Sequence, residues 1–219
     1  MAEPESLSTK EPLEAHIARH HYDRLIMLSD GIFAIATTLA ALEIRLPEHA
    51  ATIGDMLHEG GRTIVAYVIS FLIIGVFWIS SRDLFARVKQ VDRWLTALTL
   101  AMLCTVAVIP ACAHVVYLKG NTDAAFSFYA LTMTLCGALN VAMWAYASFA
   151  HGVMREEVSR AYRWQRVIVS VVMPVLFGTL FLLPSDEAVT ALAPLAVVAA
   201  VVRRVLLPRW VGKIKPQNG

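Results

Sequence analysis

Six long apolar runs divide the chain: Leu25 to Leu46, Thr63 to Ser81, Leu95 to Leu118, Ala124 to Ala150, Val167 to Leu183, and Ala188 to Leu207. About 20 apolar residues carry a helix across a hydrocarbon core of roughly 30 Å, so each run predicts a membrane-spanning helix, the fifth and sixth only just long enough. A tight turn at Pro184-Ser185-Asp186 is expected to join those two as a hairpin. Pro174 and Pro194 fall inside them, where membrane helices tolerate a kink if neighbours satisfy the freed carbonyls. Residues 48 to 61 are too short and too polar to cross, and predict an external loop with at most a turn of interfacial helix.

The basic residues give the runs a direction. Arg82, Arg87, Lys89 and Arg93 lie between the second and third; Arg155, Arg160, Arg163 and Arg166 between the fourth and fifth; Arg203, Arg204, Arg209, Lys213 and Lys215 at the end. The alternate connections carry few, or balance them with Glu48, Asp55 and Glu59. Cytoplasmic loops carry the excess of Lys and Arg, so both termini are expected in the cytoplasm, in agreement with an even number of spans. The expected organisation is an N-terminal cytoplasmic segment over 1–23, a six-helix transmembrane domain over 24–207 and a basic cytoplasmic tail over 208–219. Glu3, Glu5, Glu11 and Glu14 do not suit the start of a cleaved signal peptide, so the first span is expected to be retained.

Composition agrees. The 219 residues are 58% hydrophobic and 16% charged, against about 25% charged in a soluble domain. The net charge of +2 is spread between apolar runs rather than gathered in one patch, which argues against nucleic acid as a partner. Cys104, Cys112 and Cys136 lie in apolar runs without CxxC spacing and read as small buried hydrophobes. His20 and His21 are adjacent in sequence, a spacing that does not turn both towards one metal on a helix. There is no HExxH, GxSxG or P-loop motif, and Glu156-Glu157 reads as a charged face, so no enzyme and no cofactor are indicated. Trp94, Trp144, Trp164 and Trp210 are placed near cytoplasmic boundaries, where indole rings anchor.

Candidate chemistry concentrates in the first run. Asp30 lies about 9 Å in from Arg24 at 1.5 Å per residue, and Trp78, Ser80, Ser81, Arg82, Thr96 and Thr99 reach a similar depth from the neighbouring runs. Arg24, Ser29 and Asp30 are five and six residues apart and do not share a helical face. An ionisable group at this depth requires a partner or a wet cavity, so an interhelical network of Arg24, Ser29, Asp30, Trp78, Thr99 and Arg82 is expected. Further along, Gly31, Ile35, Thr38, Leu39 and Leu42 form one stripe, apolar except for a hydroxyl. Such a stripe packs or faces lipid, or, repeated around a symmetric oligomer, forms a hydrophobic constriction. Glu43 at its end either draws cations to a mouth or snorkels beside Arg45. His114 and Asn140 read as packing hydrogen bonds.

These residues resemble a known family. Arg24-Leu-Ile-Met-Leu28-Ser29-Asp30-Gly31, continued by Ile32-Phe33-Ala34-Ile35-Ala36 and Leu42-Glu43-Ile44, is similar to the RxxxFSD signature that opens the transmembrane protein 175 family, whose animal members are lysosomal potassium channels. The six spans and the run from Trp78 to Asp92 resemble its single-repeat prokaryotic branch. Leu28 replaces the signature Phe, Ser80-Ser81-Arg82 stands where relatives carry Asn-His-His, and Thr99 replaces an Asn. The resemblance implies a homotetramer in a prokaryotic cell membrane, with the first helix of each subunit lining a central, potassium-selective path without a TVGYG filter. It further implies rings of Ile35, Leu39 and Leu42 as the constriction, Thr38 as a selectivity layer, and the Arg24, Ser29 and Asp30 group as a structural network.

The expected protein is therefore an all-α, multi-pass integral membrane protein that passes potassium among the monovalent cations. A proton-coupled transporter titrating Asp30, a proton-conducting channel and a non-conducting scaffold are the alternatives.

Overall fold

The computed structural model describes residues 13–42, 44, 52–119 and 123–183, and within them the chain is mainly helical. Five helices follow one another: α1 Leu13–Leu42, α2 Ile53–Phe85, α3 Arg93–Lys119, α4 Asp123–Phe149 and α5 Arg160–Leu182. Each contains a stretch long and apolar enough to cross a membrane. The expected sixth span over 188–207, the turn over 184–186, Pro194, Glu43, Trp210 and the tail over 208–219 lie outside the described residues.

Helix boundaries run past the apolar runs at two places. α1 begins at Leu13 rather than near Arg24, and α2 begins at Ile53, so most of the expected 48–61 loop is helix. Apolarity marks where a chain enters lipid, whereas a helix continues in water for as long as nothing breaks it. Leu13 to Asp23 contains no Pro or Gly, and Ile53 to Arg62 contains glycines but no Pro.

α4 packs along both α3 and α5, α1 packs on α3 and α2, and α2 also touches α3 and α4. The shared interior is filled by Ile74, Phe77, Leu84, Leu95, Met102, Ile109, Met133, Met143 and Trp144, all almost fully buried. α4 and α5 approach closely at Gly137: a Cβ built there would lie 2.7 Å from Pro174 Cδ and 2.8 Å from Pro174 N. The missing side chain admits the proline ring, the use of small residues that brings membrane helices together.

One end of the bundle is pinned by backbone and side-chain bonds. Val88 and Met154 form an antiparallel bridge between the α2–α3 and α4–α5 connections, with Lys89 N donating to Val153 O at 2.8 Å and Arg155 N to Arg87 O at 3.0 Å. Gly152 makes the accompanying turn at φ 78°, a left-handed conformation that favours glycine. Asp92 caps α3 by accepting from Leu95 N at 2.9 Å, and Ser159 caps α5 by accepting from Tyr162 N.

Candidate functional site: the open face of the first helix

α1 has two faces within a single chain. Leu25, Ser29, Phe33, Ala36 and Ala40, spaced by three and four residues, are buried. On the other side Ile35 is 58%, Leu39 44% and Leu42 78% exposed, with Gly31 and Thr38 exposed among them. The stripe read from the sequence is thus the helix face that no described element covers. At Gly31 an added Cβ would meet nothing within 4 Å.

The threonines on this helix satisfy their protons internally. Thr38 Oγ1 lies 3.1 Å from Ala34 O and 2.9 Å from Ile35 O, and donates to those carbonyls. Thr37 Oγ1 is placed likewise towards Phe33 O and Ala34 O. A hydroxyl that donates its proton to its own helix keeps its oxygen lone pairs as acceptors. On the exposed face, Thr38 can therefore offer an oxygen to a cation or a water.

The expected polar network takes a narrower form. Trp78 Nε1–H donates to Asp30 Oδ1 at 2.7 Å, joining α1 to α2, and the Arg82 guanidinium sits 5.3 Å from the centre of the Trp78 ring. Ser29 and Thr99, both buried, do not enter it. Ser29 donates to Leu25 O at 2.9 Å and Thr99 to Leu95 O at 2.7 Å, each within its own helix. Arg24 is exposed. Depth in the membrane brings these residues to one level, but a hydroxyl at that level can be satisfied by the carbonyl one turn back.

A second cluster, centred on Asp83, was not singled out in the sequence. Its carboxylate forms ion pairs with Arg87 and Arg166 and accepts from Tyr162 Oη at 3.2 Å. Arg166 also lies 4.6 Å from the centre of the Trp144 ring. Trp144 Nε1–H donates to Ser80 Oγ at 3.0 Å, and Ser80 donates to Asn140 Oδ1 at 2.9 Å. The chain of contacts links α2, α4 and α5. Asn140 serves a packing hydrogen bond, as expected. Trp144 departs from expectation: it is fully buried rather than an interfacial anchor, whereas Trp94 and Trp164 are 58% and 57% exposed. Asp83 lies in the first basic segment and Arg166 in the second, each of which reads as a solvated connection, so the signal for their pairing was only that an acid stood among bases.

Comparison with known proteins places this arrangement. Residues 24–110 match the family model described as endosomal/lysosomal potassium channel TMEM175. A potassium channel of Streptomyces collinus is 36% identical over 128 residues, 55% of this chain and 62% of that protein. A potassium channel of Chamaesiphon minutus is 30% identical over 145 residues, 63% of this chain and 71% of that protein. The crystal structure of a lysosomal potassium-selective channel TMEM175 homolog from Chamaesiphon minutus matches with a TM-score of 0.68 at 21% identity, over 86% of this chain and 99% of that one. The fold is therefore shared with that structure. By its sequence match to these relatives and to the family model, the chain belongs to the TMEM175 family.

Proposed function

We propose that this chain is one subunit of a homotetrameric potassium channel of the prokaryotic cell membrane, in which the open face of α1 from each copy lines the ion path. The observation that carries the reading is the uncovered stripe of Ile35, Thr38, Leu39 and Leu42 on a helix whose opposite face is buried. Four copies facing an axis would set Ile35, Leu39 and Leu42 as successive hydrophobic rings, which gate by excluding water. Between them Thr38 would supply oxygens that replace part of an ion's hydration. Glu43 would concentrate cations at the outer mouth.

In this reading the Asp30–Trp78 bond sets the rotation of α1, with Arg24 and the buried Ser29 and Thr99 framing the same end of the helix. The indole donor ties Asp30 to α2, which supports a positioning role for it. Potassium would be the permeant ion and no other cofactor is required. The family membership and the relatives' description as potassium channels support the choice of ion.

Planar-bilayer recording of the purified protein, with potassium on one side and sodium on the other, tests the function. Currents that persist without a proton gradient and reverse in favour of potassium are expected. Flux that saturates, requires a proton gradient and stops in Asp30→Asn would replace the channel with a transporter.

A further inference from the structure

At the pinned end of the bundle, away from the open stripe of α1, an open cavity of about 430 Å³ lies between the α4–α5 connection and Lys89 of the α2–α3 connection. Lys89, His151, Arg160 and Arg163 line it, with Glu156 as the acidic member and Trp164 beside Phe149 among its walls. We propose that this cavity binds the phosphate headgroup of an anionic phospholipid.

The cavity is held in shape before any ligand arrives. Arg163 donates from Nε to Val158 O at 3.0 Å, from Nη1 to Ser148 O at 3.2 Å and from Nη2 to Arg155 O at 3.0 Å. These bonds fold the α4–α5 connection around one fixed positive charge. The backbone bridge at Val88 and Met154 then holds the α2–α3 connection, and with it Lys89, against the same wall. Lys89 and Arg160 are exposed, so their charged ends are open to a ligand. α5 begins at Arg160, and the positive end of its dipole adds to the field.

A lipid source follows from position. Phe149 and Trp164 pack with ring centres 4.7 Å apart and planes tilted by 55°, and are 49% and 57% exposed. Aromatic rings of this kind sit at headgroup level, with an apolar body towards acyl chains. The basic residues mark this end for the cytoplasmic leaflet, whose anionic lipids attract Lys and Arg at the membrane surface. A phosphate in the cavity with its acyl chains running past Trp164 satisfies both features. The inference does not depend on which helix lines the ion path.

Native mass spectrometry of the purified protein in a neutral detergent, with short-chain phosphatidylglycerol or phosphatidylcholine added, tests it. Phosphatidylglycerol should bind at least tenfold more tightly. Each basic side chain at an anionic surface contributes a factor of about five, so K89Q/R160Q should weaken binding roughly thirtyfold. E156Q should tighten it by a few-fold, a gain that misfolding cannot produce. Equal binding of the two lipids, or no change in K89Q/R160Q, would overturn the proposal. Displacement of phosphatidylglycerol by inorganic phosphate at matching concentrations would assign the cavity to a free anion and overturn its lipid assignment.

Discussion

Trp78 holds Asp30 by a 2.7 Å hydrogen bond from its indole nitrogen, spanning 48 positions of sequence and two helices. The Arg82 guanidinium lies over the same ring, 5.3 Å from its centre. Replacing Trp78 with Phe keeps an aromatic ring but removes the donor and weakens the cation–π contact. A hydrogen bond to a charged group contributes about 1.5–3 kcal/mol when buried, and Asp30 is exposed in the single chain, so a loss of about 1 kcal/mol is expected. Thermal unfolding in detergent should show a lowered midpoint for Trp78→Phe, and an unchanged midpoint would mean that the bond does not hold α1.

Gly137 admits Pro174, and the contact involves backbone atoms that cannot rotate away. Gly137→Ala would place a methyl 2.7 Å from Pro174 Cδ and 3.1 Å from Pro174 Cα, forcing α4 and α5 apart. Overpacking of this kind costs about 1–3 kcal/mol. Gly178→Ala is the matched control, since its Cβ would meet Thr134 Cγ2 at an ordinary 3.7 Å. The thermal midpoint should fall for the first and hold for the second; equal behaviour would deny the close approach.

Different physical signals made different parts of this molecule legible. Five of the six expected spans coincide with described helices because lipid demands a long apolar stretch, and that demand is written in the composition of each run. The two faces of α1 were legible in part: the spacing of Ile35, Thr38, Leu39 and Leu42 gave the stripe, but whether anything covered it depended on α2 and α3. The polar contacts were least legible. Depth alone grouped Ser29 and Thr99 with Asp30, yet both hydroxyls bond to their own helices. Asp83 in α2 and Arg166 in α5 are separated in sequence by the whole of α3 and α4, and the packing of α4 on its neighbours brings them together.

Asp83 is the shared acceptor for Arg87, Arg166 and Tyr162. The Arg166 side chain is 14% exposed, and its Nε is buried with no partner among the described residues. Asp83→Asn would leave that guanidinium facing the Trp144 ring without its counter-charge. Breaking a fully buried pair costs about 3–5 kcal/mol; with Asp83 26% exposed, about 2 kcal/mol is expected. In a double-mutant cycle with Arg166→Gln, the combined loss should be well below the sum of the single losses. Additive losses would show that the two residues do not act on each other.

Thr38 separates the hydrophobic positions of the stripe, and its oxygen stays available while its proton is held by the helix. Thr38→Ala removes that oxygen together with the Cγ2 methyl group. The expected outcome is a reversal potential shifted towards sodium under bi-ionic conditions, with current retained. An unaltered reversal potential would contradict the proposed selectivity role of Thr38.

The claim that the open face of α1 lines the ion path is tested most directly at Ile35, 58% exposed in the single chain. Ile35→Asn keeps a side chain of comparable size but replaces apolar atoms with groups that hold water, which would hydrate a constriction that excludes it. Single-channel recording in a planar bilayer, with wild type and variant side by side, should give larger currents and weaker preference for potassium over sodium in the variant. Identical conductance and selectivity in a folded Ile35→Asn protein would place the ion path elsewhere.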